Sequence, residues 1–336
     1  MFQSREFFPV ALAARLTATR VSDPEFARRA AEARIRRPQL APTGKLSIVA
    51  ADHPARLVTR VGEDAVAMAD RRDYLGRILR VLSSARMDGV MATMDIIEDL
   101  LAVDGFLRAA GSATLLDNKL LIASLNRGGL AGAAWELDDP MTGATPAACK
   151  AWQLDGAKIL LRVDEKEPAS LKTILATERA ISECNSLCLP VFLEPLPVTR
   201  TETGYTVVKT AAALARLAGV ASALGDSSRY LWLKMPYSDG YETVARATTL
   251  PILLLGGESA GDPVPFLQQL HSALEAGANV RGALVGRNVL YPGAEDPLAM
   301  AEAVVGIVHE GWTVERALAA MACVRDTGID RLAACC

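Results

Sequence analysis

Eight short apolar runs recur along the chain, separated by longer stretches that predict helices. Each run is too short for a helix and is bounded by Gly, Pro, Asp or Asn, so each predicts a buried strand. The predicted strands are residues 46–52, 89–93, 120–125, 157–164, 189–194, 230–235, 251–255 and 282–285. Helices are predicted between them, for example at residues 63–84, 167–186, 206–224 and 263–276. This alternation is typical of βα units on a parallel sheet.

Eight such units favour a closed (β/α)8 TIM barrel over an open, doubly wound sheet. Open sheets of that kind have about six strands and a glycine-rich turn after the first. Here the first strand ends in Ala-Asp-His-Pro at 51–54, and the glycine-rich segment 256–261 follows the seventh strand instead. We assign residues 46–336 to the barrel, with helices predicted at 297–310 and 314–324 closing or extending it.

Residues 1–45 lie outside the barrel pattern and predict an N-terminal helical extension. Its Arg- and Ala-rich segment 26–37 predicts a helix. Acidic residues at positions 6, 23, 25 and 32 argue against a targeting peptide, because transit peptides avoid them. We expect this helix to pack on the bottom of the barrel or at an interface between copies of the chain.

Charged residues stand on the inward face of several predicted strands. Because side chains alternate along a strand, the aliphatic positions of strand 157–164 face the helices, and Lys158 and Arg162 point into the barrel. The same alternation turns Asp52, Glu194 and Lys234 inward. Active sites of TIM barrels lie at the C-terminal ends of the strands, so we predict that Asp52, Lys158, Glu194 and Lys234 share one site.

Two explanations fit two lysines and two carboxylates at one place. They can pair into an inert buried layer, or they can form an active site. Burying that many ions costs several kcal/mol per ion unless the charges are compensated. This cost favours an active site over an inert buried layer. Only eight of the 36 Lys and Arg residues are lysines, which also argues against chance.

This set of residues suits Schiff-base chemistry. A lysine in a dry site beside another cation favours its neutral amine, which can attack a ketone and form an imine. Carboxylates can move the protons that imine formation and carbon–carbon cleavage require. These are the parts of a class I (metal-independent) aldolase, which needs no cofactor.

Glycines after the last two strands predict a phosphate site. Gly256 and Gly257 follow the seventh strand, and Gly286 and Arg287 follow the eighth. TIM barrels commonly bind phosphate with backbone N–H groups of these two loops. A second anionic group could bind Arg162, which could instead pair with Glu194 or Asp164.

Three segments resemble a known enzyme group. LWLKMPY at 231–237, PILLLGG at 251–257 and GALVGRNVLY at 282–291, followed by Asp-Pro at 296–297, resemble class I aldolases. The resemblance is to the group of deoxyribose-phosphate, tagatose-bisphosphate and archaeal-type fructose-bisphosphate aldolases. It covers all eight strands, roughly residues 46–310.

This resemblance implies roles for the inward residues. Lys234 matches the Schiff-base lysine, and Asp52 matches the first-strand aspartate. Glu194 falls on the glutamate proposed as proton shuttle in the tagatose-bisphosphate branch, and Lys158 on that branch's fourth-strand lysine. The tyrosine that the archaeal-type branch carries on the fifth strand is absent. The group implies a lyase of carbohydrate metabolism that acts on a sugar phosphate.

Composition excludes other classes of function. A net charge of −3 gives no case for a nucleic-acid partner, and the chain has no apolar run of about 18 residues for a membrane span. Unpaired cysteine spacing favours a reduced, cytoplasmic location. Three scattered histidines without ligand spacing argue against a zinc-dependent aldolase; His53 is expected to point away from the centre.

We therefore expect a class I aldolase that cleaves a phosphorylated keto-sugar or keto-sugar acid and releases dihydroxyacetone phosphate. Its partner is a small phosphorylated sugar, and a homo-oligomer is possible. Two alternatives stay open: a Schiff-base transferase or synthase on the same barrel, and a non-catalytic regulator that binds sugar phosphate.

Overall fold

The computed structural model describes residues 2–335 and contains a closed barrel of eight parallel strands with flanking helices. This confirms the (β/α)8 prediction. A ninth strand, β6, pairs antiparallel with the end of β5 outside the barrel. The strands are β1 Leu46–Ala51, β2 Gly89–Ala92, β3 Leu120–Ser124, β4 Gly156–Val163, β5 Val191–Thr201, β6 Gly204–Val207, β7 Leu231–Pro236, β8 Ile252–Leu255 and β9 Val280–Val285.

Parallel pairing runs around the barrel without a free edge. β1 pairs with both β2 and β9, and β4 pairs with β5, which closes the ring. The interior is filled in layers, as in other TIM barrels. Its lower part is an apolar cluster of inward side chains: Leu46, Ile48, Ala50, Met91, Leu120, Ile122, Phe192, Leu253 and Leu284.

Helices surround the strands and bury their other face. The longer ones after β1 are α4 Arg71–Leu82, α5 Met94–Ala109, α7 Ala169–Ser186, α8 Ala211–Ser222, α10 Pro263–Glu275, α12 Pro297–Glu310 and α13 Val314–Val324. Shorter helices are α6 Pro146–Ala151, α9 Tyr241–Arg246 and α11 Arg287–Leu290. In the part of the chain that the structure describes, no helix combines the length and apolar character needed to cross a membrane.

Two predicted helices begin later than expected. The stretch predicted at 63–84 becomes a helix at Arg71, where the Asp70 side chain accepts hydrogen bonds from the N–H groups of Arg72 and Asp73, each at 3.1 Å. The helix predicted at 206–224 is wrong at its start, because residues 206 and 207 belong to β6.

The N-terminal residues form three helices, α1 Ser4–Phe7, α2 Val10–Ser22 and α3 Phe26–Ala33, and these pack against the barrel helices. α1 lies on α4, and α3 lies on α5. The buried side chain of Arg34 then reaches the lower end of the barrel, where it pairs with Asp155 at 3.0 Å. The extension is thus anchored to the barrel by apolar packing and by a buried ion pair.

Candidate active site

A cavity of about 720 Å³ opens at the C-terminal ends of the barrel strands. Lys234, Glu194 and Asp52 line it. Lys158 lies directly behind them and is completely buried. The four residues that alternation turned inward are therefore brought together, above the apolar layer of the barrel interior.

Glu194 stands between the two lysines. Its Oε2 atom accepts a hydrogen bond from Lys234 Nζ at 3.0 Å and lies 2.7 Å from Lys158 Nζ. The register explains the arrangement, because Lys158 is opposite Phe192 across β4 and β5, and Glu194 is one inward position further up β5. One carboxylate oxygen thus holds two ammonium groups.

Asp52 supplies the second carboxylate of the cluster. It follows the last residue of β1, and its Oδ2 atom lies 3.3 Å from Lys158 Nζ. Ser124 Oγ donates a hydrogen bond to the same oxygen at 2.9 Å, and the guanidinium of Arg127 pairs with it. With every group ionised, the three cations and two carboxylates of this cluster sum to one positive charge.

Burial and neighbouring charges shift the pKa values in this cluster. Burial lowers the pKa of the Lys234 ammonium, with Arg127 and Arg287 adding to the effect and Glu194 opposing it. Burial, followed by the charge of Arg127, lowers the pKa of Lys158 well below its usual value. Both lysines are thereby biased toward the neutral amine.

Glu194 responds in the opposite sense. Burial disfavours its carboxylate, but the charges of Lys158, Lys234 and Arg127 outweigh that cost. They hold the pKa of Glu194 well below its ordinary range. The carboxylate therefore stays ionised at neutral pH and is available to accept a proton from Lys234.

The glycines predicted to bind phosphate line another wall of the same cavity. Gly257 has φ +70°, in the region that favours glycine, and a methyl group at Gly286 would lie 2.3 Å from His53 Cε1. Gly256 and Arg287 complete this wall. The Nε atom of Arg287 is buried without a hydrogen-bond partner among the described residues, although Nη1 lies 3.4 Å from Glu258 Oε1.

Arg162 points upward from β4 but does not line the cavity. The sequence left two alternatives for Arg162, binding of a second anionic group or pairing with Glu194 or Asp164, and the structure shows neither of these pairings. Its guanidinium pairs with the Glu136 carboxylate and donates to the Gly129 carbonyl oxygen at 2.9 Å. These contacts tie down the loop after β3, so Arg162 supports the wall of the cavity from behind.

His53 lies in the cavity lining, which corrects the expectation that it points away. Alternation does not apply to it because β1 ends at Ala51 and His53 has helical backbone angles, φ −65° and ψ −46°. Burial, followed by the charges of Arg287 and Lys234, lowers the pKa of His53 to about 3. The imidazole therefore stays neutral at neutral pH, and it packs against Gly286 in the glycine wall.

Several lining residues were not selected from the sequence. Arg56, Arg127, Tyr205 and Lys209 line the cavity but are not among the predicted site residues. Arg56 and Arg127 follow strands β1 and β3, where arginine also occurs on solvated loops. Tyr205 and Lys209 reach the cavity through the β5–β6 hairpin, which was not predicted.

Among residues 2–335, no group of three His, Cys, Asp or Glu side chains is placed to hold a metal ion. The remaining histidines lie on helices, His271 on α10 and His309 on α12. The expected independence from metal stays a prediction.

A family model described as Cgl0159-like matches residues 44–305. The chain belongs to this family. A solved structure of Cgl0159 from Corynebacterium glutamicum is 35% identical, with a TM-score of 0.84 over 91% of this chain and 99% of that one. The match extends over the whole barrel, so the residues of the cavity lie within the region that defines the family.

Curated relatives match a shorter part. An uncharacterized aldolase of Saccharolobus solfataricus is 32% identical over 40% of this chain and 47% of its own length. A 3-hydroxy-5-phosphonooxypentane-2,4-dione thiolase of Salmonella typhimurium is 36% identical over 25% of this chain and 28% of its own. The aligned part thus spans less than half of either relative.

A more distant structure shares the fold. A Schiff base-forming fructose-1,6-bisphosphate aldolase is 21% identical, with a TM-score of 0.56 over 84% of this chain and all of the other. At 21% identity this likeness shows the fold alone. This chain is a (β/α)8 barrel of the Cgl0159-like family, and its coarser resemblance to aldolases rests on the aligned part of the curated relatives.

Proposed function

We propose that this Cgl0159-like chain is a class I, Schiff-base aldolase that cleaves a phosphorylated keto-sugar or keto-sugar acid and releases dihydroxyacetone phosphate. One observation carries the proposal. Lys234 Nζ stands at the wall of the cavity with a buried carboxylate 3.0 Å away, whereas Lys158 is completely buried behind that carboxylate. Lys234 is the amine that a ketone can reach.

Lys234 begins the reaction as a neutral amine. Its lowered pKa favours that form, and Glu194 Oε2 lies in place to take the proton that the nitrogen loses after it has added to the ketone and to pass it to the carbonyl oxygen. The nitrogen adds to the ketone carbon, and the oxygen takes up a proton to give a carbinolamine. The hydroxyl then takes up a proton from solvent and leaves as water, which gives the protonated imine, whose positive charge makes it an electron sink.

The imine then allows the neighbouring carbon–carbon bond to break. Asp52, at the far side of Lys158, takes the proton from the substrate hydroxyl next to the bond that breaks. The bonding electrons move toward the imine nitrogen, and an aldehyde and an enamine result. The enamine then takes up a proton, and water releases the ketone and returns the amine of Lys234.

Lys158 lies between the two carboxylates of the site, Asp52 and Glu194. It has no exposed surface and contacts Glu194 and Asp52, so we assign it the role of positioning these two carboxylates and not that of holding a substrate oxygen. The nearby cations that lower the pKa of Lys234 are Arg127 and Arg287.

The glycine wall supplies the phosphate site in this proposal. Gly256, Gly257 and Gly286 let a phosphate approach the backbone closely, and Arg287 adds charge. The unpartnered Nε of Arg287 supports an anionic ligand on this wall. The relatives support the coarser reaction class, because they are named as an aldolase, a thiolase and synthases.

Those thiolase and synthase relatives favour one second candidate, a transferase or synthase that uses the same imine and passes the fragment to another acceptor. Analysis of products with candidate acceptors separates it from an aldolase. A non-catalytic sugar-phosphate regulator, the remaining alternative, would bind dihydroxyacetone phosphate without changing it.

Proton exchange tests the proposal without knowledge of the aldehyde. In D₂O, an imine-forming enzyme replaces a C3 proton of dihydroxyacetone phosphate with deuterium through the enamine, and proton NMR follows the loss of signal. We expect exchange by the wild type and by a Lys150→Met control, whose exposed lysine lies on α6.

Lys234→Met is expected to lose this exchange by at least about 1,000-fold, because the covalent step disappears. Circular dichroism checks that the barrel has folded. Retained exchange in a folded Lys234→Met variant would overturn the assignment of the nucleophile, and absence of exchange in the wild type would favour the regulator.

A further inference from the structure

A hairpin reaches over the mouth of the cavity. β5 has eleven residues and continues past Glu194 to Thr201, where the chain turns at Gly204, φ +134°, and returns as β6. Val198 pairs with Val207 across the two strands. The barrel itself needs only the first part of β5, so this hairpin is an addition that serves the cavity rather than ring closure.

The chain segment after the hairpin is held at both ends. Val208 N–H donates to the Pro197 carbonyl oxygen at 2.8 Å, and Thr210 caps α8 by accepting from Ala213 N–H at 3.3 Å. Lys209 lies between these two anchors and lines the cavity. These anchors fix the backbone position of Lys209, and its side chain is exposed.

The ammonium group of Lys209 stands over the glycine wall. A methyl group built on Gly257 would find Lys209 Nζ as its nearest heavy atom, at 3.9 Å. Within residues 2–335, Lys209 makes no hydrogen bond or ion pair. The other cation at this wall, Arg287, also has an unpartnered nitrogen, and the carboxylate nearest to it belongs to the highly exposed Glu258.

Two cations from different loops therefore flank one glycine-lined wall, and within residues 2–335 neither forms an ion pair with a buried carboxylate. We infer that Lys209 binds the phosphate of the ketone substrate from the hairpin side, opposite Arg287. This inference rests on the proposed function and names its substrate class: a ketone that carries a phosphate group, selected over the same ketone without one.

The chemistry suits a phosphate dianion. Lysine is a compact point charge that can donate to any phosphate oxygen, whereas the guanidinium of Arg287 donates in a fixed plane. Approach from opposite sides neutralises both negative charges of the group. The backbone N–H groups of the glycine wall are then left to orient it toward Lys234.

Deuterium exchange measures this selectivity directly. For each protein, kcat/KM is determined with dihydroxyacetone phosphate and with dihydroxyacetone, and the ratio of the two values is compared. We expect Lys209→Met to lower the ratio at least tenfold, chiefly through a higher KM for the phosphorylated ketone. Lys209→Arg is expected to restore most of it, and Lys150→Met to keep the wild-type ratio.

Inorganic phosphate provides a second measurement that does not need turnover. A ligand that binds the folded state raises the thermal midpoint. We expect inorganic phosphate to raise that midpoint in the wild type and in Lys150→Met, and to raise it less than half as much in Lys209→Met. Raising the ionic strength is expected to shrink the difference, because the contact is exposed.

The two proposals fail separately. An unchanged ratio and an equal phosphate response in folded Lys209→Met overturn the role of Lys209 while the aldolase proposal stands. Absence of exchange by the wild type, together with a phosphate response that depends on Lys209, overturns the aldolase proposal but keeps the phosphate contact. A wild type that shows no phosphate response and no preference between the ketones overturns the inference.

Discussion

A single carboxylate oxygen of Glu194 contacts the Nζ atoms of Lys158 and Lys234, and this contact influences the protonation state of Lys234. Glu194 raises the pKa of Lys234, while burial and the nearby arginines lower it further than Glu194 can restore. The pKa of Lys234 thus lies below its ordinary value, and the amine fraction rises as pH increases through that lowered pKa.

Replacement of Glu194 tests this balance. In Glu194→Gln the opposing charge is gone, so we expect the pKa of Lys234 to fall further and the pH midpoint of imine formation to move to lower pH. Turnover is expected to fall about 100-fold, because the proton acceptor is lost. The rate of borohydride trapping as a function of pH measures the midpoint; a midpoint that stays or moves upward contradicts the account.

Gly286 shows how tightly the glycine wall is packed. A Cβ atom there would lie 2.3 Å from His53 Cε1 and 2.8 Å from the Ala50 carbonyl oxygen, which belongs to β1 and cannot turn away. We expect Gly286→Ala to lower the free energy of unfolding by about 2 kcal/mol, the size of an overpacking effect.

Gly219 is the matched control. It lies on α8, and in the described part of the chain a Cβ atom there meets no heavy atom within 4 Å apart from its chain neighbours and the backbone of its own helix. Gly219→Ala is expected to leave stability unchanged or to raise it by up to about 1 kcal/mol, since alanine favours the helix. Urea denaturation measures both variants, and equal effects would show that the packing around Gly286 does not constrain it.

Alternation along strands predicted the inward residues well, because Asp52, Lys158, Glu194 and Lys234 belong to strands or directly follow one. It failed for His53, which lies after β1 with helical backbone angles. The partners of Arg162 could not be predicted either, since Glu136 comes from a loop whose path the strand pattern does not specify.

At the scale of elements, a buried ion pair joins α4 to α12. Arg80 and Asp296 are both inside the molecule, and Arg80 Nε lies 2.9 Å from Asp296 Oδ1. Asp296 also caps α12 by accepting from Leu298 N–H at 2.9 Å. Arg80 further donates to the Thr327 carbonyl oxygen at 2.7 Å, so one guanidinium connects three segments.

Loss of this guanidinium leaves a buried carboxylate with no compensating charge. We expect Arg80→Met to lower the free energy of unfolding by about 3–5 kcal/mol. Lys172→Ala is the control, because Lys172 and Asp138 form an exposed pair at 2.9 Å, which contributes at most about 1 kcal/mol. Guanidinium chloride titration compares the two, and similar midpoints for both variants would contradict the account.

The β5–β6 hairpin was not predicted from the sequence. Eight strands could be predicted because each is a short, mainly apolar run with both faces buried. Polar and apolar residues alternate along the last part of β5 and along β6, which form an exposed ribbon. Val207 and Val208 also fit the apolar pattern of the helix that follows, so the helix was predicted to begin too early. Alternation over so few residues does not separate a strand from a helix start.

At the scale of the whole molecule, the count of βα units predicted closure of the barrel. A parallel sheet of eight consecutive units has two edge strands, and closure pairs them with each other, here β1 with β9. Closure brings the carboxyl ends of β1, β4, β5 and β7 to one place, and this is why four residues distant in sequence could be predicted to meet.

Borohydride trapping tests the central claim most directly. The wild-type protein is incubated with dihydroxyacetone phosphate, reduced with borohydride and digested, and peptide mass spectrometry locates the adduct. The account predicts one adduct, on Lys234, because its amine lines the cavity while that of Lys158 is enclosed. An adduct on Lys158, or no adduct in a protein that binds this ketone, would contradict it.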